Sequence, residues 1–166
     1  TCQVFLPYQE GRRFLQEWQR EDDWVGLVAD TNATYDIYEE IDLSSLVPLI
    51  AMPSSPGNVR PVSEVAGERI YQTYIGSSAN PGYRDFAVCS MMVQGRQVHD
   101  RVSFDVNPTS RAQLETLVRD GHIAHLLHAG ARLHQAGCNG CIGMGQAPAT
   151  NELTLRTVPR NFPGRS

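Results

Sequence analysis

From residue 70 onward the chain alternates short β-rich runs with runs of helical period, and that grammar leaves little choice of architecture. "RIYQTYIG" is rich in β-formers and stops at Gly76, after which Tyr83, Phe86, Ala87, Ser90 and Met91 recur at helical spacing. "DRVSFDV" sets Val102, Phe104 and Val106 in alternation. Ser110 with Gln113 three positions later has the form of a capping box, which opens a helix that stops near Gly121. Leu114, Leu117 and Val118 form the expected inner stripe of that helix, and a second short helix turns Ile123, Leu126 and Leu127 inward. "ARLHQ" and "LTLRTV" are further strand candidates. Such alternation predicts a mainly parallel sheet covered by helices, a three-layer α/β domain.

The N-terminal part follows other rules. Phe14, Leu15 and Trp18 lie at helical spacing among charges, so residues 9–20 read as an amphipathic helix with one packing side. "VGLVAD" reads as a short buried strand. "YDIYEEIDL" alternates so that Tyr35, Ile37, Ile41 and Leu43 share a face, with Glu39 interrupting it. "VPLIAMPSSPGNVRPVSEV" is too rich in proline and polar residues for a regular element and predicts a long surface connection.

A chain of 166 residues with 41% hydrophobic content supports one sizeable core with an N-terminal appendage. The net charge of -4 lacks the basic excess of a nucleic-acid binder, so no nucleic-acid partner is expected. No window approaches the roughly 18 apolar residues of a membrane span, and "TCQVFLPYQEGRR" has no signal-peptide pattern; the expectation is a cytoplasmic protein off the membrane. Cys2, Cys89, Cys138 and Cys141 then read as reduced thiols rather than a disulfide framework. The absent initiator Met and the ending "NFPGRS" lead us to expect a piece of a longer protein.

In open α/β sheets, ligands gather outside the carboxyl ends of the strands. Three loops fall there: "GSSANPGYRD", "GCNGCIGMG" and "PRNFPGRS". Their small residues let backbone approach a ligand, and the last carries Arg160 and Arg165, whose planar forks suit carboxylates or phosphates. The Cys138-x-x-Cys141 pair suits half of a zinc site, a redox disulfide, or two thiolates of an iron–sulfur cluster. His122, His125, His128 and His134 could suggest a metal, but they read as solvated residues flanking the apolar stripe.

"YIGSSANPGYRDF", "GCNGCIGMGQAP" and "RNFPGRS", in that order and at comparable intervals, resemble the three signature segments of the aconitase family of iron–sulfur hydro-lyases. "EIDLSSLVPLIAMPSSPGNVRPVSEV" is similar to the stretch just upstream of the first segment, and "FLPYQEGRRFLQEWQREDDW" to the end of the preceding domain. The resemblance covers nearly the whole chain. It implies the family's third α/β domain over residues 29–166, with residues 1–28 closing the domain before it. Activity would be dehydration and rehydration of a hydroxylated di- or tricarboxylic acid, with the remaining domains supplied in cis or in trans. The resemblance further implies a four-iron, four-sulfur (4Fe-4S) cluster on three cysteines, two matching Cys138 and Cys141, and substrate-binding roles for Arg160, Arg165, Ser77 and Asn80.

Two departures stand out. Where the family reads Gly-Ser-Cys-Thr-Asn, this chain reads Gly76-Ser77-Ser78-Ala79-Asn80, so the third ligand position is Ser78. The residue that leads the arginine segment, Asn in the family, is Pro159 here. An alcohol must lose a proton of high pKa to ligate iron, whereas a thiolate is soft and forms readily. The expectation is a cluster held weakly or not at all. A cluster-free domain acting as a ligand-binding or interaction module is the alternative.

Overall fold

The computed structural model describes residues 9–145, 147–158 and 160–162. By its internal contacts the chain divides into two compact units, with the boundary after Ser45.

In the first unit, helix α1 (Gln9–Glu17) is the amphipathic helix of the sequence, ending one turn earlier than expected. Arg12 joins it to the 3-10 turn Glu21–Asp23 through Glu21 at 2.8 Å, and lays its guanidinium over the Trp24 ring. The strands expected in "VGLVAD" and "YDIYEEIDL" are not there: no ladder forms in residues 25–30 or 35–43 among the described residues. Val28 is 71% and Ile37 78% exposed. Alternation marks a segment able to pair, but a strand needs a neighbouring edge.

The second unit begins with a correction. The proline-rich stretch carries an antiparallel hairpin, β1 (Leu49–Ala51) against β2 (Val59–Pro61), followed by a single helical turn, α2 (Val62–Val65). Its prolines sit at strand ends and in the turn, where no ladder donor is lost. Asn161 ties the far end of the chain to this hairpin by donating to the carbonyls of Ala51 and Met52.

The α/β grammar then appears in order: β3 (Gln72–Gly76), α3 (Tyr83–Val93), β4 (Ser103–Asn107), α4 (Arg111–Arg119), α5 (His122–His128), β5 (Arg132–Leu133) and β6 (Thr154–Arg156). The four strands form one parallel sheet in the order β5-β4-β3-β6. Ser110 caps α4 by accepting from the Gln113 amide at 3.1 Å, while the Gln113 side chain reaches one residue further back, to the Thr109 amide. Ser110→Ala is therefore expected to cost about 1 kcal/mol, read as a lower urea midpoint at unchanged slope.

The two faces of this sheet differ sharply. Phe104 and Val106 point to one side, where Phe86 of α3, Leu117 of α4 and Ile123 and Leu126 of α5 close a single apolar core. Val118, Leu127, Met91 and Tyr83, expected to point inward, lie at the helix margins and are 38 to 58% exposed, because only one strip of each helix meets the sheet and its neighbours. A groove of about 570 Å³ remains on this face beside β6, lined by Thr73, Ile75, Cys89, Met92, Val93 and Leu155 among others. The register puts Gln72, Tyr74, Ser103, Asp105, Asn107, Arg132, Thr154 and Arg156 on the opposite face. That face is polar, and the cysteine loop covers it.

Candidate functional site

The loops at the carboxyl end of the sheet are fastened to one another. The Gly76 amide donates to Thr157 Oγ1 at 3.0 Å, and Asn80 Nδ2 to the Thr157 carbonyl at 2.8 Å, which joins the serine loop after β3 to the segment after β6. Thr109 Oγ1 donates to the Pro81 carbonyl at 2.8 Å. The Gly137 amide donates to the Pro108 carbonyl at 3.0 Å, and Asn107 Nδ2 to the Gln135 carbonyl at 2.8 Å, so the cysteine loop is tied to the end of β4.

The cysteine loop folds as a 3-10 turn, Gly140–Ile142, closed by Gly143 in the left-handed region at φ 80°. Gly140 is buried directly on Tyr74; a Cβ there would collide with the Cζ–hydroxyl edge of the tyrosine ring, so only glycine fits. The Tyr74 hydroxyl accepts the Gly140 amide at 3.1 Å and donates to Asn107 Oδ1 at 3.3 Å. Arg156 stacks its guanidinium 5.8 Å from the Tyr74 ring centre and donates to the Gly140 carbonyl. Burial pushes the Tyr74 hydroxyl above the usual tyrosine value; the Gly140 amide opposes this and the Asp105 charge adds to it.

Of the residues expected at a site, Cys141 is 3% exposed and packs with Tyr74 and Val158, and Cys138 lies half-buried against the same group. Ser78 and Arg160 are both exposed, in the segments that follow β3 and β6 in the chain. Ser77 is buried, and its hydroxyl is spent on its own loop: it donates to the Asn80 carbonyl and accepts the amides of Ala79 and Asn80. The Asn80 side chain braces Thr157. Cys2, Pro159 and Arg165 lie outside the described residues.

The histidines need correcting. His134 donates Nε2–H to the fully buried Asp105 at 2.8 Å and stacks on Tyr74, while His122 and His125 both place Nδ1 against the buried Ser90 hydroxyl, at 3.1 and 3.2 Å. Only His128 is the exposed flank residue that was expected. The layer of Tyr74, Asp105, Asn107, His134 and Arg156 under the loop went unread in the sequence. Its one signal was a set of polar residues alternating with apolar ones in β3, β4 and β6.

The family model of the aconitase family (aconitate hydratase) matches residues 63–166. The chain belongs to the aconitase family. Among curated relatives, it is 35% identical over 163 residues to "3-isopropylmalate dehydratase large subunit 2" of Archaeoglobus fulgidus, covering 98% of this chain and 39% of the relative. It is 41% identical over 138 residues to "3-isopropylmalate dehydratase large subunit 1" of Methanopyrus kandleri, covering 82% of this chain and 33% of the relative. It is 38% identical over 153 residues to "Homoaconitase large subunit" of Thermus thermophilus, covering 91% and 36%. The chain thus spans well under half the length of these relatives. Among the described residues, no helix is long and apolar enough to cross a membrane.

The donor set tests whether the cluster implied by the family resemblance fits this aconitase-family domain. The cysteine loop presents two thiols, and the third position presents the exposed hydroxyl of Ser78. Among the described residues, no group of three or more His, Cys, Asp and Glu side chains comes together to hold a metal ion. Two thiolates and an alcohol do not fit a three-thiolate socket.

Proposed function

We propose that the chain is a domain of an aconitase-family hydro-lyase or isomerase that dehydrates and rehydrates a hydroxylated di- or tricarboxylic acid. Arg160 and Arg165 hold substrate carboxylate, and Ser77 and Asn80 contribute to substrate binding from the serine loop. The observation that carries this reading is the fastening of the serine loop, the cysteine loop and the Thr157 segment at one end of one sheet. Relatives named for isopropylmalate dehydration and for homoaconitase support the substrate class. A reducing, cytoplasmic setting suits the thiols of Cys89, Cys138 and Cys141.

The remaining catalytic groups belong to further domains, carried in cis or in trans. The relatives' greater length supports this, and so does the apolar surface of Val25, Val28, Tyr35, Ile37, Tyr38 and Ile41, each at least 64% exposed. The second reading, a domain that binds acids or partners without a cluster, is favoured by the sequence departures at Ser78 and Pro159.

An exposed arginine that clamps substrate can be removed without unfolding the protein, so the test is Arg160→Ala in the full-length protein. KM for the accepted hydroxy acid should rise about tenfold or more, with the thermal midpoint unchanged, because a charge-assisted bond is lost. Equal KM and kcat in variant and wild type would remove Arg160 from the site.

A further inference from the structure

Beneath the cysteine loop runs a chain of buried polar contacts whose proton positions can be worked out in order. Thr154 Oγ1 donates to Gln72 Oε1 at 3.1 Å, which leaves the Gln72 amide nitrogen to donate to Asp105 Oδ2 at 2.9 Å. Arg132 Nη2 donates to Ser103 Oγ at 2.7 Å, so the Ser103 hydroxyl hydrogen goes to Asp105 Oδ2, also at 2.7 Å. With Gln72 and Ser103 both donating to Oδ2, the Oδ1 of Asp105, a residue 0% exposed, is left to accept the His134 Nε2 hydrogen at 2.8 Å, with Arg132 Nε 3.8 Å from the same oxygen.

That hydrogen fixes the ring. His134 lies stacked on Tyr74, with ring centres 5.6 Å apart and planes 26° apart, and the Tyr74 hydroxyl takes the amide of Gly140, which lies between the two cysteines. The other end of the loop rests on the same imidazole: Gly145, at φ +86°, is so close that a Cβ there would stand 3.3 Å from His134 Nδ1. The loop is thus pinned at Gly140 by Tyr74 and stopped at Gly145 by His134. Both pins lean on the His134 ring that Asp105 holds, and Asn107 Oδ1 takes the Tyr74 hydroxyl hydrogen at 3.3 Å.

We propose that Asp105, His134 and Tyr74 are positioning residues that set the exposure and reactivity of the Cys138 and Cys141 thiols. A buried amide left without its acceptor destabilises the state that buries it, whereas opening the loop lets water take the acceptor's place. Loss of the Tyr74 hydroxyl therefore favours the open loop, in which Cys141 is reachable. The proposal concerns the loop itself and holds whichever acid the protein acts on.

Site-resolved alkylation tests it. The full-length protein is treated with chelator and reductant, exposed to iodoacetamide, and followed by peptide mass spectrometry for Cys141 and for Cys89. Cys89 lies on the opposite, helix-covered face of the sheet, and burial raises its thiol pKa, so it serves as an internal control. Tyr74→Phe should speed Cys141 alkylation about tenfold or more, the effect of orphaning one buried donor, and leave Cys89 unchanged. His134→Phe, which keeps an aromatic ring but loses the bond to Asp105, should shift Cys141 in the same direction. His134→Gln, whose amide can still donate to Asp105, should move the rate back toward wild type. A parallel rise at Cys89 would mean general loosening of the fold and would overturn the proposal, as would Cys141 rates equal to wild type in both aromatic variants.

Discussion

Ser78→Cys in the full-length protein is expected to turn poor iron–sulfur uptake into near-complete uptake under anaerobic reconstitution. By the family resemblance we propose Ser78 as the position of the missing cluster cysteine; it is exposed, so a cysteine there meets no packing obstacle. The gain comes from ligand chemistry. A thiolate replaces a hard alcohol that would have to shed a proton of high pKa to bind iron. Losing even an outer partner of a metal ligand costs roughly 10–100-fold in affinity, so restoring a ligand should lengthen cluster retention against chelator by about a hundredfold. Iron and acid-labile sulfide per chain, with visible absorbance, measure it. Equal uptake by wild type and variant would contradict the assignment of Ser78 as the missing corner.

Gly76→Ala is expected to be the most damaging single-methyl substitution. Gly76 closes β3 at φ +133°, and a Cβ there would run into the backbone of Asn107 on the neighbouring strand. That backbone cannot give way, because Asn107 is fully buried and its side chain bridges Tyr74, Pro108 and Gln135. We expect a loss of at least about 4 kcal/mol, in the class of buried overpacking combined with backbone strain. Gly67→Ala is the matched control: its φ of +100° is also left-handed, but no atom lies within 4 Å of the added methyl, so about 1 kcal/mol is expected. Urea midpoints of the two variants read the difference. A Gly76→Ala variant no worse than Gly67→Ala would mean that the Gly76–Asn107 contact does not constrain the fold.

These two substitutions mark what was legible in the sequence. The strand ending at Gly76, the Ser110 cap and the helix around Phe86 follow from local rules, and each appears where those rules put it. Segments whose form depends on what lies beside them were misread. "VGLVAD" and "YDIYEEIDL" have strand chemistry without a ladder, and the proline-rich stretch hides a hairpin whose register only pairing reveals. The cysteine loop and its partner loops were legible as motifs. Their support was not, because a buried Asp105 or a His134 aimed at it comes from register between strands far apart in the chain. His134 looked like its neighbours His125 and His128, yet it sits one residue past β5, on the polar face, where a carboxylate waits two strand positions into β4.

We propose that the chain keeps the family's loop framework while its grip on the implied cluster is weakened at one corner, Ser78. Iron and acid-labile sulfide are measured in the unaltered full-length protein, purified without air and without reconstitution. Well under one cluster per chain is expected. About four irons and four sulfides per chain, retained through purification with Ser78 in place, would contradict it.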